Sequence, residues 1–298
     1  MIEKSFINTK GNEVYYISYP ANNEKAVVVI AHGMAEHPQR YENLAYYLNN
    51  NNISVHAIYH IGHGKHAKIL GHMADGEFNM CIDNINELVE LVKKESQNKV
   101  FLLGHSMGSF MSQLYITKYD NIDGLILSGS TCSNGILKAG YVLSKLVCAF
   151  SKDTSRPSKF MNNLSFGSFN KQFKNAKTKF DWLNQDEAEV LKYVNDPYCG
   201  FICSQSFYKN FLRVYVDISK KENLSKINKD LPMLILGGSK DPVSNNGKGL
   251  EKLYKQYNKL NIKNVILKIY QDDRHEIYLE KNKDEVYNDT LLFLENQI

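Results

Sequence analysis

Residues 100–109, VFLLGHSMGS, constrain the fold of this chain more than any other stretch. A short apolar run ends at Gly104, and Ser106 stands between Gly104 and Gly108. Gly-x-Ser-x-Gly after a buried strand is the pattern of a sharp strand-to-helix turn that holds the serine in a strained conformation, where larger neighbours would collide. The helix that follows offers free N–H groups to a developing oxyanion. The stretch therefore predicts a nucleophile elbow with Ser106 as the nucleophile.

Six apolar runs predict strands that are buried on both faces. Helical periodicities alternate with them, and a hairpin is predicted at residues 4–19, where polar and apolar residues alternate around Gly11. The runs are 26–31, 53–58, 100–103, 124–127, 233–236 and 265–269, and the helical segments are 41–49, 80–95, 108–118, 250–257 and 284–295. This alternation predicts an α/β fold with a mostly parallel, doubly wound sheet and active-site loops at the carboxyl ends of the strands.

The alternation of strand and helix breaks between residues 133 and 230. This insert has an apolar helical stretch at 136–150 and a polar segment at 151–179. A structureless connection of such length is unusual inside a compact domain, so we expect several helices over the catalytic edge of the sheet. The predicted organisation is a core of residues 1–132 and 231–298 with a helical lid at 133–230.

Composition excludes several classes of protein. The 36 basic and 32 acidic residues give a net charge of +4, and the basic residues are spread along the chain, so we expect no nucleic-acid partner. The five cysteines are odd in number and form no CxxC pair, which argues against a disulfide framework and a zinc site. With neither a signal peptide nor an apolar span in the sequence, we expect a cytoplasmic enzyme with reduced thiols.

A serine hydroxyl needs a general base, and the base needs a carboxylate that fixes its tautomer. Asp241 follows the strand at 233–236 in GGSKDPVS, and His275 follows the strand at 265–269 in QDDRHEIYLE. The chain order Ser, Asp, His, each just past a strand, predicts a catalytic triad.

The oxyanion hole requires two N–H donors, one of them from the residue after the nucleophile. We assign these donors to the backbone amides of Met107 and of Met34, which follows the strand at 26–31. The histidines between residues 37 and 72 lack metal-ligand spacing, so we expect neither a metal nor another cofactor.

Several motifs occur in a fixed order along the chain. They are HGMAEHPQRY at 32–41, GEF at 76–78 with Asp83, GHSMGS at 104–109, GSKDPVS at 238–244, RHE at 274–276, and Glu280. In them the chain resembles the monoglyceride lipase and lysophospholipase branch of the α/β hydrolases, also grouped with the serine aminopeptidase-type hydrolases. The resemblance implies an α/β-hydrolase fold. The chain departs from the family in YHIGHGKH, where Tyr59 and His66 replace the Asp and Ser of D-x-x-GHG-x-S.

These features favour a serine carboxylester hydrolase that cleaves a monoacyl lipid-like ester, monoacylglycerol or lysophospholipid, through an acyl-enzyme. A first alternative is a proline iminopeptidase-like serine aminopeptidase, which needs lid carboxylates to hold an ammonium group. The dense acidic group of the lid consists of Asp186, Glu187 and Glu189. A second alternative is a catalytically silent ligand-binding hydrolase fold.

The apolar stretch at 136–150 leaves three roles open. It forms the packed interior of the lid, lines an acyl pocket, or makes transient contact with a membrane surface. For the acyl-pocket role we name Leu137 and Tyr141 as substrate-binding residues. The head group and chain length of the substrate and the oligomeric state stay open.

Overall fold

A single sheet of eight strands forms the centre of the computed structural model, which describes residues 1–298, with the strand order β1-β2-β4-β3-β5-β6-β7-β8. The strands are β1 Ile2–Ile7, β2 Glu13–Tyr19, β3 Ala26–Ala31, β4 Ile53–Ile58, β5 Lys99–His105, β6 Gly124–Ser128, β7 Met233–Gly238 and β8 Val265–Tyr270. Strands β3 to β8 pair in parallel, and β1 and β2 form an antiparallel edge. The predicted α/β fold class is confirmed.

Helices cover both faces of the sheet. Outside the predicted lid they are α1 Glu42–Asn49, α2 Glu77–Glu95, α3 Met107–Tyr115, α9 Lys248–Lys259 and α10 Lys283–Glu295. One hydrophobic core packs α2, α3 and α9 against the sheet, and a second packs α1 and α10 against the other face. Along β3, Val27 and Val29 contribute to the first core while Val28 and Ile30 contribute to the second. Because both faces are buried, such strands read as continuous apolar runs.

Strands β3 and β4 have the predicted bounds, whereas β7 runs two residues further than its apolar run. Gly237 and Gly238 continue the pairing with Ile269 and Tyr270. A Cβ at Gly238 would lie 2.1 Å from the carbonyl oxygen of Asp273. A glycine is therefore required here, because the loop after β8 crosses directly over the end of β7.

The segment between β6 and β7 is helical. It contains α4 Gly135–Ala149, α5 Lys159–Phe166, α6 Glu187–Asn195, α7 Gln205–Asp217 and α8 Lys221–Leu224. The Asn134 side chain caps α4, and the Ser204 hydroxyl caps α7. Helix α4 packs on α7, and α7 packs on the core through Tyr215, whose ring centroid lies 4.5 Å from that of Phe110 in α3. The segment is thus anchored beside the helix that follows Ser106. None of the helices combines the length and apolar character needed to cross a bilayer.

Candidate active site

Ser106 occupies the turn between β5 and α3 with a positive φ of 50° and a ψ of −117°. A Cβ on Gly104 would lie 2.5 Å from the carbonyl oxygen of Gly108, and one on Gly108 would lie 2.0 Å from that of Ala31. Both glycines are needed because the turn brings β3, β5 and α3 into direct backbone contact. The Ser106 N–H donates to the carbonyl of Ser128 in β6 at 2.9 Å, which fixes the turn to the neighbouring strand.

His275 and Asp241 form a buried pair at the ends of β8 and β7. His275 Nδ1 lies 3.0 Å from Asp241 Oδ1, and their side chains are 2% and 0% exposed. The Val243 N–H donates to the same carboxylate oxygen at 2.9 Å. A carboxylate at Nδ1 favours the tautomer in which Nε2 is unprotonated and able to act as a base. Burial opposes the charged imidazolium, but the charge and hydrogen bond of Asp241, together with the charges of Glu276 and Glu36, outweigh burial and raise the pKa of His275.

The His275 ring is held by its neighbours on several sides. Trp182 from the lid segment lies 5.2 Å away between ring centroids, and His105 lies 4.9 Å away. A Cβ on Gly129 would approach His275 Cε1 to 2.9 Å. Burial, followed by the charge of His275, lowers the pKa of His105 to about 3, so His105 stays neutral next to the predicted base.

The loop after β3 places Met34 at the same cavity as Ser106 and His275. The Gly33 N–H donates to the Glu36 carboxylate, and a Cβ on Gly33 would lie 3.2 Å from the Ser106 Cβ. The N–H groups of Met34 and Met107 have no acceptor within the protein. Both amides are therefore free to donate to a bound oxyanion.

Glu36, Arg40 and Glu276 form a buried charge network for which no role was predicted from the sequence. Arg40 Nη1 donates to Glu36 Oε2 at 2.7 Å, and Arg40 Nη2 donates to Glu276 Oε2 at 2.8 Å. The guanidinium also lies 4.9 Å from the ring centroid of Tyr193 in α6. Burial opposes ionisation of Glu36, but Arg40 and the other neighbouring groups, among them the Gly33 N–H, together outweigh burial and lower the pKa of that carboxyl. The signal was present in EHPQRY, where opposite charges stand four residues apart just after a buried strand.

A cavity of about 1500 Å³ lies above Ser106 and His275. Half of its lining residues are apolar, and most of these belong to the lid segment, among them Leu137, Leu143, Met161, Phe166, Trp182 and Phe211. Of the two predicted substrate-binding residues, Leu137 lines this cavity and Tyr141 does not. Tyr141 is half-buried against the core, with the Lys145 ammonium 5.9 Å from its ring centroid.

The acidic group of the lid is engaged in contacts outside the cavity. Asp186 caps α6 by accepting from the Ala188 N–H at 2.9 Å. Glu187 pairs with Lys177 at 2.7 Å, and Glu189 pairs with Lys192 at 2.6 Å. None of the three carboxylates lines the cavity, so none is placed to hold a substrate ammonium group.

The two residues that depart from the family pattern pack against each other. The His66 ring stacks on Tyr15 at 3.7 Å between centroids and contacts Tyr59 edge-on at 4.9 Å. The Tyr59 hydroxyl accepts a hydrogen bond from Gln39. The rings thus contact the loop after β3 through Gln39, and they do not line the cavity.

His37, Asp196 and Cys199 are the one set whose potential metal-ligand atoms lie within 4.8 Å of one another. His37 Nε2 is 2.8 Å from Asp196 Oδ2. This contact joins the loop after β3 to the lid segment.

His32, His60 and His63 form a separate buried cluster, in which burial lowers the pKa of His32 to about 3 and that of His63 to about 4.

The family profile described as serine aminopeptidase, S33, matches residues 22–282. The chain belongs to this family. The resemblance to the monoglyceride lipase and lysophospholipase branch of the α/β hydrolases is confirmed, and the chain is an α/β hydrolase. It is 28% identical to the monoglyceride lipase homolog of Monkeypox virus, over 96% of this chain and 95% of that protein. It is 27% identical to the monoglyceride lipase of Homo sapiens, over 88% of this chain and 78% of that protein.

Among solved structures, a thermostable carboxyl esterase from Bacillus coagulans superimposes with a TM-score of 0.91 at 24% identity. The match covers 99% of this chain and 98% of the esterase. A monoglyceride lipase from Saccharomyces cerevisiae in complex with a substrate analog superimposes with a TM-score of 0.77 at 20% identity, covering 99% of this chain and 94% of the lipase. These likenesses establish the fold.

Proposed function

We propose that this α/β hydrolase is a serine carboxylester hydrolase that cleaves monoacyl lipid-like esters, monoacylglycerols or lysophospholipids, through an acyl-enzyme. The observation that carries the proposal is the buried His275–Asp241 pair, whose imidazole lines the same cavity as Ser106 and a group of apolar side chains from the lid segment. The names of the relatives, monoglyceride lipase and lysophospholipase, support the same substrate class.

The proposed reaction has two halves. In the first, Ser106 Oγ attacks the ester carbonyl while His275 Nε2 takes its proton, and the alcohol leaves with that proton. In the second, His275 activates a water molecule that hydrolyses the acyl-enzyme. Asp241 orients the imidazole and stabilises the imidazolium, and the amides of Met34 and Met107 hold the oxyanion. These steps use side chains and backbone amides alone and require no cofactor.

The apolar side chains that line the cavity support a fatty-acyl ester as the preferred substrate. Each methylene that leaves water for an apolar wall contributes about 0.8 kcal/mol. Medium and long monoacyl esters should therefore exceed acetyl esters in kcat/KM until the cavity is full. Triacylglycerols should be poor substrates because their three chains compete for one chamber.

A series of p-nitrophenyl esters from acetyl to palmitoyl tests the proposal through kcat/KM. We expect a maximum at a medium or long chain, together with labelling of the wild-type protein by a fluorophosphonate probe. A maximum at acetyl would contradict the lipid substrate. Failure of the probe to label the protein would instead favour a silent ligand-binding fold. An aminoacyl p-nitroanilide series addresses the aminopeptidase alternative, and we expect negligible rates because the lid carboxylates are engaged elsewhere.

A further inference from the structure

Residues 133–180 carry a large positive net charge that is not evident from the net charge of the whole chain. This stretch contains eight lysines and one arginine but a single acidic residue, Asp153. Its net charge is +8, whereas the complete chain carries +4, which leaves −4 for the remaining residues. The N-terminal half of the lid segment is therefore cationic, whereas the rest of the molecule carries a small negative net charge.

Most of this charge is exposed and uncompensated. Arg156 pairs with Asp153 and Lys177 pairs with Glu187. The other lysines of the stretch are exposed, and none has a carboxylate within 4.0 Å; they are Lys138, Lys145, Lys152, Lys159, Lys171, Lys174 and Lys179. Surface lysines without an internal partner are available to an external anion.

Large apolar side chains are exposed among these lysines. Ile136 is 83% exposed, Phe150 is 88% exposed and Phe160 is 58% exposed, and Val142, Leu146 and Leu164 are also exposed. On α4, Lys138, Val142, Lys145 and Leu146 lie on the outward face, since the other face packs on α7. We call the exposed lysines and apolar side chains of 136–164 the cationic lid face; α4, through Ile136, and α5, through Lys159, border the same cavity.

The cationic lid face adjoins the cavity above Ser106. Ile136, Lys159 and Leu164 are exposed and also line that cavity. A lipid surface that covers this face would lie against the rim through which a substrate enters. The face is therefore continuous with the proposed substrate site.

We propose that the cationic lid face docks the enzyme on an anionic lipid surface. Its apolar side chains enter the boundary between head groups and acyl chains, while its lysines lie among anionic head groups. A second copy of the chain is disfavoured as the occupant because two such faces would repel. The docking does not depend on the proposed esterase activity, although it would deliver a monoacyl substrate from the lipid surface to the cavity.

Co-sedimentation with vesicles tests the proposal on the full-length protein. One set of vesicles contains phosphatidylcholine alone, and the other contains phosphatidylcholine with phosphatidylserine. We expect binding to the anionic set to exceed binding to the neutral set by about tenfold or more, and to fall as salt rises, because salt screens exposed charges. Equal binding to both sets, or no binding to either, would overturn the proposal.

Charge reversal at Lys138→Glu, Lys145→Glu and Lys152→Glu should abolish the preference for anionic vesicles. The matched control reverses three exposed lysines elsewhere, Lys10→Glu, Lys94→Glu and Lys255→Glu, and should retain most of that preference. An equal loss in both triple variants would show a dependence on net charge alone and would overturn the assignment to this face.

The apolar part of the face is tested with Val142→Ser, Leu146→Ser and Phe150→Ser. None of these residues lines the cavity, so hydrolysis of a dissolved short-chain ester should be unchanged while vesicle binding falls. Ser106→Ala should bind anionic vesicles as the wild type does, which separates failure of docking from failure of the proposed activity. Wild-type binding to a nucleic acid in preference to anionic vesicles, or self-association in place of vesicle binding, would identify a different occupant and overturn the proposal.

Discussion

Arg40 forms a buried, bidentate ion pair with Glu276, the residue that follows His275. The same guanidinium pairs with Glu36, which accepts the Gly33 N–H next to Met34. One side chain therefore fixes the spacing between the loop with the proposed oxyanion donor and the loop with the proposed base.

Replacing Arg40 with Met should impair both stability and catalysis. The change leaves Glu36 and Glu276 buried without a cation, which typically costs about 3–5 kcal/mol of unfolding free energy. The control is Arg213→Met on an exposed pair with Asp217, where the expected loss is at most about 1 kcal/mol. Urea unfolding and kcat/KM check the prediction, and equal stability of the two variants would contradict it.

Replacing Ser106 with Ala should reduce ester hydrolysis by ~10⁴-fold or more while the protein stays folded. The matched control is Ser112→Ala, in the helix that follows Ser106 and away from the cavity, where the hydroxyl donates to the Gly108 carbonyl at 2.8 Å. Steady-state kinetics with fluorophosphonate labelling separates the two variants. A Ser106→Ala enzyme with wild-type turnover would remove Ser106 from the mechanism.

Replacing Asp241 with Asn should be nearly as harmful, with a loss in kcat of about 10⁴-fold, because it favours the wrong tautomer of His275. Asp273→Asn is the comparison, since Asp273 is a buried carboxyl two residues before His275 that makes no hydrogen bond to its ring. Burial disfavours the Asp273 carboxylate and raises its pKa to about 6, so the neutral amide removes a charge that the surroundings solvate poorly. Normal kcat in Asp241→Asn with an inactive Asp273→Asn would mean that the acid is misassigned.

Activity should rise with pH as His275 loses its proton. The imidazole acts as a base only when neutral, and although burial lowers its pKa, Asp241 together with Glu276 and Glu36 holds that pKa above the usual value of about 6.5. The rising limb of kcat/KM against pH should therefore have its midpoint above 6.5 in the free enzyme. A profile that falls steadily from acid to neutral pH would exclude this mechanism.

Replacing Gly108 with Ala should destabilise the fold, whereas Gly135→Ala should not. The new Cβ at Gly108 would lie 2.0 Å from the Ala31 carbonyl oxygen, but a Cβ at Gly135 meets no atom within 4 Å. Overpacking of this kind costs about 1–3 kcal/mol or more. Thermal unfolding of both variants checks the difference, and equal midpoints would show that the backbones at the turn can separate freely.

The sequence was most informative where burial and local backbone constraint coincide. Strands such as β3 and β4 are buried on both faces, so their apolar runs marked their bounds, and the glycines around Ser106 marked the turn. The Arg40–Glu276 pair joins residues 236 positions apart. Trp182 contacts His275 from the lid segment, whose sequence has no strand periodicity. No local periodicity encodes such contacts. The net charge of the whole chain also did not reveal the positive net charge of residues 133–180, because the other residues carry a negative net charge that offsets it.

Trp182 is the sole tryptophan of the chain, and it lies 5.2 Å from the His275 ring on the wall of the cavity. Emission excited at wavelengths that tryptophan absorbs and tyrosine does not therefore originates beside the proposed general base. An imidazolium quenches indole fluorescence more strongly than a neutral imidazole does, so the emission intensity should follow the protonation of His275. The enzyme thus contains its own optical probe, with which acyl-chain entry and proton transfer can be followed without a label.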